Sequence, residues 1–150
     1  MGLDLMLYRV PKEIKGTPNF SYWNADNDDE ELAYGRKTWG IYSFFRIRCK
    51  EVDDEVYLVT AEDWQDFMDY FEDWDMPRIM QIIDNVWRLG SKYDWSAADA
   101  DYIVEFVDGM GEGQLGYEWD AQAMLNWRDA DKKVRDAFAN GDEVVMLASY

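Results

Sequence analysis

The sequence contains no histidine and a single cysteine, Cys49, in 150 residues. Without histidine the chain lacks the commonest general base and the commonest metal ligand, and every nucleophile triad that runs on imidazole is excluded. One thiol cannot close an intramolecular disulfide or supply a CxxC zinc pair, which fits a reducing cytosol. Cys49 is therefore expected to be a small buried apolar group. No uninterrupted apolar run approaches the roughly 18 residues that a membrane helix needs. The opening "MGLDLMLYRV" carries Asp4 inside its apolar stretch and has no basic region, so it does not read as a signal peptide. Gly2 suggests no lipid anchor, because Met6 stands where a myristoylation site has Ser or Thr.

Positive charge is also scarce. Fifteen Lys and Arg face 32 Asp and Glu, for a formal net charge of -17. Such a chain repels nucleic acid and anionic membranes, and its expected partner is a basic protein surface or a metal ion. What the sequence has in quantity is apolar and aromatic bulk, 48% and 17% of residues, with eight Trp and seven Phe. That is too much for a disordered acidic tail and enough to fill a core. The length suits one acidic domain spanning residues 1–150.

Periodicity predicts an α+β fold, a small sheet of about three strands packed against four or five helices. Leu3 to Val10 alternates in the manner of a strand ended by Pro11. Residues 11–30 hold Pro11, Gly16, Pro18 and most of "NADNDDEE" and read as a loop, its Phe20, Tyr22 and Trp23 expected to pin it to the core. Glu30 to Arg48 is expected to be one helix capped by Asp28 or Asp29, although Gly35 and Gly40 weaken it. "VYLVT" (Val56 to Thr60) predicts a second strand.

Thr60 with Asp63 predicts a capped helix over the acidic segment, and Asp75 with Pro77 opens another that Gly90 closes. Ser96 with Asp99 caps a helix from about Ala97 to Met110. After the Gly-rich break "GMGEGQLG", helix is expected from about Asp120 to Asn140, with Ala123, Trp127, Ala130, Val134 and Ala137 as its core stripe. "EVVMLASY" predicts the last strand, a candidate neighbour of the first.

Catalytic and cofactor motifs are missing. "GMGEGQLG" lacks the GK[ST] of a phosphate loop, and Asp108, Glu112 and Glu118 would repel phosphate. Asp26, Asp28 and Asp29 resemble the start of a calcium loop that lacks its Gly at position six and its Glu at position twelve. No enzyme activity, cofactor or metal is expected on these grounds. A carboxylate-based, metal-dependent hydrolase stands as an alternative reading, because paired carboxylates can do acid–base work.

The charge pattern is more informative. Seven carboxylates crowd Glu62 to Asp75 without one Lys or Arg. On a helix, Trp64, Phe67, Met68, Phe71 and Trp74 fall within about 120° of arc, and Glu62, Asp66, Asp69 and Asp73 within about 60° on the other side. Each like-charge neighbour in that row opposes the helix by about 0.2–0.5 kcal/mol. The pattern returns at Asp101, Glu105 and Asp108, outside Ile103, Phe106, Val107 and Met110, in a stretch from Tyr93 to Trp127 that also lacks basic residues. Charges about 6 Å apart in a line are similar to the phosphate run of a nucleic-acid strand, which carries one charge per roughly 3.4 Å of axis.

Two segments carry a resemblance. "MGLDLMLYRV" and "ELAYGRKTWGIYSFF" (Glu31 to Phe45) are similar to a family of small phage and prophage proteins that begin MGLDMYL and carry a helix written VAYWRKANAIHKWF. Ala33, Tyr34, Arg36, Lys37, Ile41 and Phe45 match, while Gly35 replaces a Trp, Trp39 an Asn and Tyr42 a His. "VYLVTAEDWQDFM" looks like the strand-then-helix of the same family, so the resemblance covers about the first 70 residues. It implies a phage setting and supplies no catalytic residues.

The resulting expectation is a phage-encoded inhibitor of a host defence or nucleic-acid-processing protein, in the manner of an anti-CRISPR. It would bind stoichiometrically to a basic partner such as a CRISPR effector or another nuclease. The expected contact residues are Glu62, Asp66, Asp69, Asp73, Asp101, Glu105 and Asp108. A third reading is a phage accessory protein that oligomerises through exposed aromatics.

Overall fold

The computed structural model describes residues 2–18, 20–25, 30–111 and 116–150. It is an α+β fold in which a five-stranded antiparallel sheet, in the order β2-β1-β5-β4-β3, packs against helices. The strands are β1 (Asp4–Val10), β2 (Glu31–Arg36), β3 (Lys50–Asp53), β4 (Val56–Val59) and β5 (Glu143–Ser149). The helices are a single turn α1 (Lys12–Lys15), then α2 (Trp39–Arg48), α3 (Ala61–Tyr70), α4 (Met76–Leu89), α5 (Ala97–Asp108), α6 (Tyr117–Arg128) and α7 (Asp131–Ala139). The expected pairing of the first and last strands is present, with Asp4 opposite Ser149 and Val10 opposite Glu143.

The strand alternation sorts side chains onto two faces. Leu3, Leu5, Leu7, Tyr57, Val59, Val144, Met146 and Ala148 join the main core beneath the helices. Tyr8, Val10, Val56, Val145 and Leu147 form a second cluster on the opposite face, covered by Ile14, Phe20 and Tyr22. The loop aromatics thus do pin their segment to the sheet. Trp23 closes its edge, donating from its indole to the Asp54 carbonyl at 3.1 Å. The Asp-rich run at Asp26, Asp28 and Asp29, proposed as a cap and weighed as a metal loop, lies outside the described residues.

Three expectations need correction. The sheet has five strands instead of about three, because two polar edge strands escaped the apolar pattern. The helix expected over Glu30 to Arg48 is a strand followed by a helix: β2 pairs with β1, the chain turns at Lys37 with φ +56°, and α2 begins at Trp39. Gly35 permits this corner, since a Cβ there would meet the Thr38 side chain at 2.8 Å and the Trp127 indole nitrogen at 3.2 Å. The long helix expected over Asp120 to Asn140 is two helices, α6 starting earlier at Tyr117 and α7 following a break at Asp129 and Ala130. Its stripe was correctly placed: Ala123, Trp127, Ala130, Val134 and Ala137 are all buried.

Candidate functional site: the acidic helices

The capping motifs read from the sequence are built as expected. The Thr60 hydroxyl accepts from the Asp63 amide at 3.1 Å, and the Asp63 carboxylate accepts from the Thr60 amide at 3.0 Å. Asp63 also accepts the Cys49 thiol at 3.4 Å. Burial first, and the Asp63 charge second, push that thiol far above its ordinary range, so it is a poor nucleophile. Asp75 caps α4 by accepting from the Arg78 amide at 3.2 Å, and Ser96 caps α5 by accepting from the Asp99 amide at 3.1 Å. Two of the seven carboxylates between Glu62 and Asp75 therefore serve the backbone.

α3 is anchored from below. Trp64 and Phe67 are fully buried, Phe71 is buried, and Met68 and Trp74 pack at the margin of the core. Trp64 stacks with Phe45 at 6.2 Å and donates its indole N–H to Asp131 Oδ1 at 2.7 Å. The helix is shorter than expected: it ends at Tyr70, and Phe71–Asp73 tightens into a 3-10 turn. Glu62, Asp66, Asp69 and Asp73 are nevertheless all exposed. Asp69 accepts a hydrogen bond from Gln65 at 2.7 Å.

α5 repeats the arrangement. Ile103, Phe106, Val107 and Met110 are buried, while Asp101, Glu105 and Asp108 are exposed. The helix stops at Asp108, two residues before the expected Met110. Tyr117 donates its hydroxyl to Asp108 Oδ2 at 3.3 Å.

The two helices meet along one seam. The Trp74 ring lies 5.5 Å from Tyr102 and 5.4 Å from Phe106, and the Tyr70 hydroxyl donates to the Phe106 carbonyl. Gly109 makes room for this, because a Cβ there would meet the Tyr70 hydroxyl at 2.5 Å. Burial pushes the Tyr70 phenol up to about 12, and the nearby Asp108 charge adds to it. The two acidic rows thus sit on neighbouring helices joined through Tyr70, Trp74, Tyr102 and Phe106. Among the described residues none of the seven row carboxylates takes part in an ion pair. Arg78 reaches the seam, where it is held by Asp99 at 3.0 Å and stacks over Tyr102 at 4.2 Å.

The sequence reading missed what borders α3 on its other side. A groove of about 500 Å³ is lined by Gln65, Met68, Phe71 and Trp74 and, from α6 and α7, by Arg128 and Arg135. Arg135 donates to Gln65 at 2.8 Å and pairs with Asp131 at 2.8 Å. No sequence signal links these arginines to α3, because the contact is made only by tertiary packing.

Other carboxylates are occupied by structure. Glu55 accepts hydroxyls from Tyr42 at 2.6 Å, Tyr57 at 3.1 Å and Tyr150 at 2.6 Å. Burial alone would raise its carboxyl; the bonds from Tyr150, Tyr42 and Tyr57, with Arg46 nearby, outweigh that and hold it below its ordinary value. Its acceptor capacity is used by the fold, so it is a weak candidate for a general base. Among the described residues no group of three Cys, Asp or Glu side chains is placed to hold a metal ion. No helix among them is long and apolar enough to cross a membrane. No family model, curated protein or solved structure matches the chain.

Proposed function

We propose that this chain is a stoichiometric inhibitor of a basic nucleic-acid-processing protein, its acidic helices occupying a groove that otherwise holds DNA or RNA. The observation that carries the proposal is the pair of carboxylate rows. Seven exposed carboxylates lie on α3, the 3-10 turn that follows it and α5, and no ion pair among the described residues neutralises them. A row of like charges opposes its own helix. The buried aromatic anchors of α3 and α5 hold the rows rigid in spite of that repulsion. A preorganised acidic surface gains most from a complementary cationic one, in association rate and in partner choice.

The resemblance of the first 70 residues to phage and prophage proteins supplies the setting. In it the target is a host defence nuclease such as a CRISPR effector, and the site of action is the host cytoplasm. The test is a pull-down from host lysate with wild type and with the quadruple variant Glu62→Lys, Asp66→Lys, Asp69→Lys, Asp73→Lys. The expected result is a basic nucleic-acid-binding protein captured by wild type alone, with affinity falling as salt rises. Equal capture by both proteins, or an affinity indifferent to salt, would overturn the proposal.

A further inference from the structure

One small cavity lies among buried residues and has polar walls. Its volume is about 10 Å³, and it is lined by Thr38 and the start of α2 at Gly40 and Ile41, by Val107 of α5, and by Asp120 and Met124 of α6. Thr38 and Asp120 are only 3% and 6% exposed. The Thr38 hydroxyl has no hydrogen-bond partner among the described residues. Thr38 stands at the N-cap position of α2, yet its hydroxyl does not bond the first turn. The buried Trp127 indole N–H is also without an acceptor among them, and it is close by: a Cβ on Gly35 would meet Thr38 Oγ1 at 2.8 Å and Trp127 Nε1 at 3.2 Å. A Cβ on Gly111 would meet the Gly40 Cα at 2.6 Å, so the chain leaving α5 is seated directly on the first turn of α2.

The chemistry of the walls selects the occupant. A buried hydroxyl left without a partner is costly, and cavities with polar walls and room for one probe sphere hold water. About 10 Å³ is too small for an organic molecule. The helix N-terminus at Gly40 and Ile41 carries partial positive charge and disfavours a cation. The Asp120 carboxylate disfavours an anion. Water both accepts and donates, so it can take the Thr38 proton and give one of its own to Asp120. We infer that this cavity is a binding site for one structural water that bridges the Thr38 hydroxyl and the Asp120 carboxylate. It ties the first turn of α6 to the start of α2, across the corner where β2 turns into α2. None of the seven row carboxylates lines the cavity, so the site stands whether or not the acidic rows bind a target.

The experiment has two arms, both on the full chain without any target. A high-resolution crystal structure of the wild type is expected to show a single density peak within about 3 Å of both Thr38 Oγ1 and an Asp120 carboxylate oxygen. This arm needs no variant and decides the matter even if a substitution unfolds the chain. Oxygen-17 relaxation dispersion then counts long-lived waters in solution. Thr38→Val keeps the shape of the side chain and removes its hydroxyl, and is expected to lose one long-lived water relative to wild type. Thr38→Ser keeps the hydroxyl and is expected to retain that water. A wild-type map with no peak between Thr38 and Asp120, a peak coordinated by five or more oxygens in the manner of a metal cation, or a folded Thr38→Val with the wild-type count of long-lived waters would overturn the inference.

Discussion

α3 and α7 are neighbours of nearly equal length that handle charge in opposite ways. On α7, Lys132 pairs with Asp136 at 3.1 Å and Arg135 with Asp131 at 2.8 Å, both one turn apart. On α3, the same turn-to-turn spacing sets Glu62 beside Asp66, and Asp69 one residue short of the next turn, with no Lys or Arg in the helix. The two helices are tied together, through Trp64 to Asp131 and Arg135 to Gln65. Ion-pair spacing was therefore available to this fold and is used one helix away. Solubility alone does not account for a single-sign row, since α7 is as well solvated on its outer face with both signs present.

The contrast can be broken most forcefully from below. Trp64→Ala removes the fully buried anchor of α3 and leaves Asp131 without its indole donor; a loss of about 3–5 kcal/mol is expected in chemical denaturation. The quadruple reversal on α3 is expected to weaken target binding by at least about 100-fold, roughly 2.7 kcal/mol, while Lys132→Glu with Arg135→Glu on α7 leaves it within a few fold. Titration calorimetry at two salt concentrations would separate the two helices, and equal effects would erase the distinction between them.

A buried carboxylate away from the rows offers a test of the fold itself. Asp142 is buried and accepts from the Lys12 amide at 3.0 Å and from Asn140 at 2.8 Å, with Arg9 at 3.6 Å. Burial opposes its charged form, but these partners outweigh burial and hold its carboxyl below the ordinary value. A depressed carboxyl stabilises the fold above its unfolded value of about 3.9, and that contribution disappears as pH falls through the lower folded value. Asp142→Asn is thus expected to lose about 1.5–3 kcal/mol near neutrality, with the gap to wild type closing below about pH 4 in urea titrations. Thr60→Ala breaks the capping box and should lower stability by about 1 kcal/mol, seen as a shift in the denaturation midpoint. The smallest effect has the opposite sign. Asp66→Lys converts like-charge neighbours on α3 into opposite ones and is expected to stabilise by about 0.2–0.5 kcal/mol per pair, while weakening any basic partner.

The parts of the fold legible in the sequence were those with local signatures. Thr60, Asp75 and Ser96 cap the helices assigned to them, Gly90 ends its helix at positive φ, and three of the five strands show in the sequence, β1 by alternation and β4 and β5 as apolar runs. The parts missed depend on distant partners. β2 reads as helix because "ELAYGR" has no alternation of its own; it becomes a strand by pairing with β1, and Gly35 lets it pass close to Trp127. β3, "KEVD", is a polar edge strand with little to bury. The break between α6 and α7 has neither Gly nor Pro, and the chain leaves the helical ladder at Ala130, whose ψ is -2°. The acidic rows were legible because a helical period needs only local sequence. The seam that brings them together was not, because Tyr70 and Phe106 are brought into contact only by the folded chain.

The strand order also governs how the protein is made. β5 lies at the centre of the sheet, between β1 and β4, and pairs along its whole length with β1. During synthesis, β1 and β4 emerge with no strand between them until residues 143–149 arrive. Such long-range pairing makes closure slow relative to helix formation. The aromatic-rich undersides of α3 and α5 are thus exposed to the crowded surroundings of a nascent chain from their own synthesis until residues 143–149 are made. The same carboxylate rows, repelling one another between growing chains, would protect those undersides from aggregation until the last strand inserts.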